Sequence, residues 1–161
     1  MTGSLVVQVG DLLRERGLKL GLAESCTGGL VGNLLTNMPG SSEYFLGGVV
    51  AYAYEVKAAL LGVSWDTLNS KGAVSRETVL EMARGARKAL NADVVVSISG
   101  ISGPGGGTPE KLVGTTWVGL VAGDGEWAKI FQFAGDREQN KSSAAEAALQ
   151  MLLDYLQEKL K

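Results

Sequence analysis

The sequence predicts an α/β domain in which a mixed, mainly parallel sheet carries helices on both faces. Segments of helical periodicity alternate with short apolar, β-branched runs, the pattern of helical crossovers between parallel strands. The turn signature Ala122-Gly123-Asp124-Gly125 joins two more strand-like runs into a hairpin, which adds an antiparallel pair. Twenty-three glycines in 161 residues supply tight strand-to-helix turns.

In order, Leu5, Val9, Leu12 and Leu13 recur at helical spacing, and Gly17 is placed to end that first helix. The apolar run Leu18 to Ala23 predicts a buried strand, Glu24 to Thr27 a turn, and Leu30 to Met38 a helix stopped by Pro39. Tyr44 to Tyr52 is aromatic and β-branched and reads as a second strand, weakened by Gly47-Gly48. Ala53 to Leu61, which carries Lys57, predicts a short helix ending at Gly62. Ser75 is an N-cap for a helix with Val79, Met82, Ala83, Ala86 and Leu90 on one face. Asp93 to Ser99 is the clearest buried strand, and Gly100 to Gly107 is a glycine-rich loop after it. Val113 to Val121 and Ala128 to Ala134 are the hairpin strands. Asp136 with Gln139 forms a capping-box signature for a last helix running toward Leu160.

Without a linker, an internal repeat or a low-complexity segment, residues 1–161 are expected to form one domain. Fifteen basic and 17 acidic residues give a net charge of −2, with no basic stripe of the kind nucleic acid selects. One cysteine cannot make an internal disulfide, which suits a reducing compartment. Met1 to Gly17 is amphipathic rather than a charged segment followed by an apolar one, and no apolar run reaches the roughly 18 residues of a membrane span. The expectation is a cytoplasmic protein that engages neither membrane nor nucleic acid.

In mixed sheets of this kind ligands gather beyond the carboxyl ends of the strands. That singles out four loops: Glu24 to Gly29, Tyr52 to Lys57, Ser99 to Gly107 and Gly135 to Arg137. The first reads Glu-Ser-Cys-Thr-Gly-Gly between a strand and a helix, so it exposes the Ser25 hydroxyl with free main-chain amides nearby. The plainer alternative makes Ser25 or Thr27 a helix cap. The chain has no histidine, so a nucleophilic Ser25 must pass its proton to a carboxylate, a lysine or a tyrosinate. Cys26 reads as a small buried apolar residue rather than a nucleophile. The glycine loop, with five glycines in eight residues, is either an anion nest or a mobile surface loop. It lacks both P-loop and dinucleotide-binding spacing. Lys57 is a surface lysine or, if desolvated, a base. Arg137 sits at a helix start, where it is either solvated or within reach of a phosphate. No metal-ligand spacing is present.

Together these segments resemble the carboxy-terminal domain of the competence/damage-inducible protein CinA, whose standalone members are nicotinamide-nucleotide amidases. The resemblance rests on Ala23 to Gly29, Tyr44-Phe45 with Gly47-Gly48, Tyr52 and Lys57 before Leu61-Gly62-Val63, and Gly72 to Ser75. It continues through Gly100 to Gly107, Val113-Gly114 and Gly135-Asp136-Arg137, and so covers nearly the whole chain. It implies a three-layer α/β/α sandwich, a homo-oligomer, and hydrolysis of nicotinamide mononucleotide to nicotinic acid mononucleotide and ammonia without metal or cofactor. By motif position it makes Ser25 the nucleophile, Lys57 the base and Tyr52 an accessory proton donor or orienting group. Cys26, Thr27, Gly28, Gly29, Ser99, Gly100, Gly103, Gly105, Gly106 and Arg137 would bind substrate, main-chain amides holding the oxyanion or phosphate. Other readings are a non-catalytic nucleotide-binding or interaction module, or an amidase for another small phosphorylated amide. Tyr54 stands where the family often has asparagine, Ser99 where threonine is common and Leu112 where proline is usual. The bulk of Tyr54 is expected to narrow the pocket.

Overall fold

A computed structural model describes residues 2–160; Met1 and Lys161, the ends of the expected domain, lie outside them. The elements run α1 (Thr2–Arg16), β1 (Leu20–Glu24), α2 (Leu30–Thr36), a 3-10 turn (Ser41–Glu43), β2 (Phe45–Val50), α3 (Tyr54–Leu61), α4 (Trp65–Lys71) and α5 (Arg76–Leu90). They continue with β3 (Val94–Gly100), β4 (Thr115–Ala122), β5 (Gly125–Gln132) and α6 (Arg137–Leu156).

The five strands are ordered β2-β1-β3-β4-β5. β1 pairs in parallel with β2 and β3, whereas β4 is antiparallel to both β3 and β5. The pairings are thus evenly divided, but β4 alone runs against the other strands. The carboxyl ends of β1, β2, β3 and β5 therefore lie along one side of the sheet, and the four loops singled out above leave from that side.

Side chains alternate between the faces of a strand, and β3 shows what that does here. Val94, Val96 and Ile98 join a core with Val9 and Leu13 of α1, with Val31 and Leu35 of α2, and with Ala148, Leu149 and Leu152 of α6. Val95 points the other way, into a second core with Leu61 of α3, Leu68 of α4, and Leu80, Met82, Ala83 and Ala86 of α5. With both faces covered the central strands read as continuous apolar runs, and the result is a three-layer α/β/α sandwich. Helix α5 packs on α3 so closely that a Cβ at Gly85 would lie 1.8 Å from the Leu61 carbonyl oxygen. Glycine there sets the spacing between the helices.

Most ends follow the sequence signals. Gly17, at φ 65°, turns the chain after α1, and Gly62, at φ 66°, caps α3. Ser75 accepts from the Thr78 amide at the start of α5, and Asp136 with Gln139 makes a complete capping box on α6. Helix α4 has no counterpart in the sequence reading. Its signal is local, the Ser64 hydroxyl accepting from the Thr67 amide at 3.0 Å, and is too short to show periodicity. The hairpin strands are shifted: β5 begins at Gly125, straight after the Gly123-Asp124 turn, and β4 begins only after Gly114.

Candidate active site

The four loops meet over the carboxyl edge of the sheet and enclose a cavity of about 160 Å³. It is lined by Ser25 and Cys26, Tyr52 and Lys57, Ala73 and Val74, Ser99, Gly100 and Ser102, and Arg137.

Ser25 follows the last residue of β1. Its amide donates to the Ile98 carbonyl of β3 at 2.9 Å, so the sheet pairing continues one residue past the strand end and holds Ser25 in place. Lys57 is the fourth residue of α3. Helical side chains lean toward the amino end, which carries the Lys57 ammonium back over the loop before the helix. There Nζ lies 2.8 Å from the Ala51 carbonyl, 2.8 Å from the Tyr52 carbonyl and 2.8 Å from Ser25 Oγ.

These three contacts suit both protonation states of the amine. As an ammonium Lys57 donates to all three oxygens. As a neutral amine it donates to the two carbonyls and offers its lone pair to the Ser25 hydroxyl, which then donates. Lys57 is 0% exposed, and burial lowers its pKa from 10.5 to about 8 because desolvation penalises the charged form. Leu60, three residues on in α3, is 60% exposed and contributes nothing to that burial. The shielding comes from the carbonyl cradle and from the loops opposite.

Cys26 is buried beside Ser25, and burial raises its thiol to a pKa of about 11. A thiol so far from ionising is a poor nucleophile at neutral pH. Arg137, the first residue of α6, lies across the mouth: Nη1 donates to the Gly103 carbonyl at 2.6 Å and Nη2 to the Tyr52 hydroxyl at 3.1 Å. The Tyr52 ring is exposed. Its phenol is thus engaged with Arg137, while its main-chain carbonyl serves Lys57.

Other expected residues play different parts. The Thr27 hydroxyl donates to Glu24. Gly29, at φ 102°, is the N-cap of α2 without a side-chain cap, so neither Ser25 nor Thr27 caps that helix. The Gly28 amide donates to the Ser25 carbonyl and the Leu30 amide to that of Thr27. Those of Val31 and Gly32 donate to the Glu24 carboxylate. Thr27, Gly28 and Gly29 do not line the cavity; nor do Gly105 and Gly106, which are exposed. Gly103 holds Arg137 through its carbonyl, and its left-handed φ of 86° brings it against Val113. Tyr54 does not narrow the cavity: it packs on Trp65, and its hydroxyl accepts from the Ala73 amide at 3.3 Å. Among the described residues no group of three or more His, Cys, Asp or Glu side chains is placed to hold a metal, and no helix is long and apolar enough to cross a membrane.

The sequence and the fold that carries these loops are matched by known proteins. A family profile described as the CinA C-terminal domain matches residues 2–156. The chain belongs to the CinA family. A CinA-like protein of Chlorobaculum tepidum is 51% identical over 153 residues, covering 92% of this chain and 36% of that protein. The chain spans little more than a third of the length of the curated CinA relatives it matches. A crystal structure of a competence-damaged protein (CinA) superfamily protein from Klebsiella pneumoniae is 32% identical. It superposes with a TM-score of 0.94 and covers 98% of this chain and 99% of that one. The competence/damage-inducible protein CihA from Agrobacterium tumefaciens is 36% identical with a TM-score of 0.93, covering 97% of this chain and 95% of its own.

Some contributors to this site were given no part in it by the sequence reading. Ala73 and Val74 line the cavity from the segment joining α4 to α5; their motif, Gly72 to Ser75, counted toward the resemblance without being assigned a place in the site. Asn140, buried in α6, binds three main-chain groups: its amide nitrogen donates to the Ser102 and Gly135 carbonyls, and its oxygen accepts from the Gly135 amide, each at 3.0 Å. It thereby ties the glycine loop to the turn that carries Arg137. An asparagine in the first turns of a polar helix gives no sequence signal of this kind.

Proposed function

We propose that this CinA-family chain is a serine amidohydrolase with a lysine base, acting on the carboxamide of nicotinamide mononucleotide to give nicotinic acid mononucleotide and ammonia. One observation carries the reading: a buried Lys57 Nζ 2.8 Å from Ser25 Oγ and anchored on two carbonyls. A buried amine with its pKa brought down to about 8 is a base near neutral pH, and this one is already hydrogen-bonded to the only hydroxyl it would need to activate.

In the reaction, neutral Lys57 accepts the Ser25 proton as Oγ attacks the carboxamide carbon. The resulting oxyanion collapses as Lys57 returns the proton to the departing nitrogen, releasing ammonia and leaving an ester on Ser25. Lys57 then takes a proton from water, whose oxygen attacks the ester, and Ser25 leaves with that proton as the acid is formed. The amide of Cys26, which lines the cavity beside Ser25, is the candidate to hold the oxyanion. Tyr52 orients Arg137, and Arg137 faces the phosphate side of the substrate.

The cavity supports a partition of the substrate. Its 160 Å³ falls below the roughly 300 Å³ at which sites for whole small-molecule ligands begin. It has room for a carboxamide-bearing ring and leaves the ribose phosphate at the mouth, beside Arg137. Ammonia release from nicotinamide mononucleotide, measured with the purified chain and with Ser25→Ala, tests the proposal. Turnover that disappears with Ser25 supports it. Binding of the nucleotide without ammonia release would make the chain a binding module, and release only from other amides would replace the substrate.

A further inference from the structure

The geometry points to Glu24 as the positioning residue that sets Ser25 against Lys57, a role that rests on the amidohydrolase reading above. Glu24 is 3% exposed at the end of β1. Its side chain is acceptor-only when ionised, and everything it meets is a donor. Oε1 accepts from the Thr27 hydroxyl at 2.6 Å and from the Val31 amide at 3.0 Å, and Oε2 accepts from the Gly32 amide at 3.0 Å. The chain therefore leaves the sheet at Ser25 and is tied back to the preceding residue at three points within eight positions.

The same residue also reaches the base. The Glu24 carbonyl accepts from the Ala51 amide at 2.8 Å, and the Ala51 carbonyl is one of the two that hold Lys57 Nζ. Glu24 thus fixes the nucleophile's turn through its side chain and the lysine's cradle through its main chain. A simple helix cap would need neither connection. The ordinary cap position is closed to a side chain in any case, since Gly29 takes the left-handed φ of 102°. By occupying the Val31 and Gly32 amides, the carboxylate also satisfies the amino end of α2, so that end is not a phosphate site.

A cap and a positioning residue are separated by kinetics on folded protein. In Glu24→Gln the amide oxygen can keep two of the contacts, but its NH₂ group faces a donor at the third. Displacement of a catalytic group by an ångström costs about 10²-fold in rate, so kcat should fall by about that factor with KM changed less than about twofold. Cys26, next to Ser25 in the turn, should react at least about tenfold faster with a small pyridyl disulfide under native conditions, because local opening exposes it. A kcat within twofold of the parent in a folded Glu24→Gln protein overturns the proposal, whatever its thermal stability. Should that variant fail to fold, Thr27→Val decides, since it removes one donor and leaves both helix amides on the carboxylate. A fall in kcat at unchanged KM supports the role, and parent-like kinetics overturn it. If the parent itself releases no ammonia, the activity reading fails and the Cys26 rate alone judges the clamp: acceleration in Glu24→Gln supports it, and an unchanged rate overturns it.

Discussion

The pH dependence of turnover should follow the neutral fraction of Lys57. A lysine in water has a pKa of 10.5, and burial in the carbonyl cradle brings this one to about 8. At pH 7 a free lysine is neutral in about 0.03% of molecules, whereas Lys57 is neutral in about 9%, a gain of about 300-fold in competent base. In the log of kcat/KM against pH the slope should be one between about pH 6 and 7.5, and the curve should level above about pH 8.5. Activity at pH 7 should be about tenfold below that plateau. Lys57→Arg keeps a positive charge near the same carbonyls but stays protonated, so it should lose more than about 10³-fold with no rising limb left to measure. The assay is initial-rate ammonia release over pH 5.5 to 10 under conditions where the fold is intact. A flat profile across that range, or a Lys57→Arg enzyme with substantial activity, would refute proton transfer to Lys57 and leave the residue acting through charge alone.

The remaining predictions concern stability, the nucleophile and the mouth of the site. Below pH 8 the fold carries the full cost of a buried ammonium, about 3 kcal/mol for a shift of this size, and that cost is relieved as pH rises from about 8 toward 10.5. Urea unfolding should therefore show the parent gaining stability with pH relative to Lys57→Met across that window, and parallel curves would contradict the burial argument. Ser25→Ala should lower kcat by more than about 10⁴-fold in a folded protein, whereas Cys26→Ala, which removes a largely protonated thiol, should keep much of the activity. The reverse pattern would move the nucleophile to Cys26. Arg137→Ala should raise KM for nicotinamide mononucleotide, by the loss of about 1.5–3 kcal/mol of charge-assisted contact, and affect the dephosphorylated riboside much less. Equal effects on both would leave Arg137 as the tie between Tyr52 and Gly103.

Much of this molecule was legible locally. Helix ends marked by Gly17, Gly62, Ser75 and Asp136 depend on one residue's φ angle or one side-chain oxygen, so they can be read before any tertiary contact exists. The two-faced burial of β3 is equally visible, in the run Val94-Val95-Val96 followed by Ser97 and Ile98 with no charged residue. The motifs resembling CinA name Ser25, Lys57 and Arg137, and the segments that carry them come together because each follows a strand that points the same way. Their distances are another matter. That Lys57 Nζ lies on Ser25 Oγ, 32 residues away in sequence, depends on β1 and β2 being neighbours and on α3 leaning its side chains back over the sheet edge. The Tyr52 phenol went to Arg137, and the turn amides of Val31 and Gly32 went to Glu24, because each buried or half-buried polar group takes the partner the packing brings nearest. Sequence order lists which groups are available; only the packed sheet, by setting which of them are desolvated together, decides that Lys57 meets Ser25.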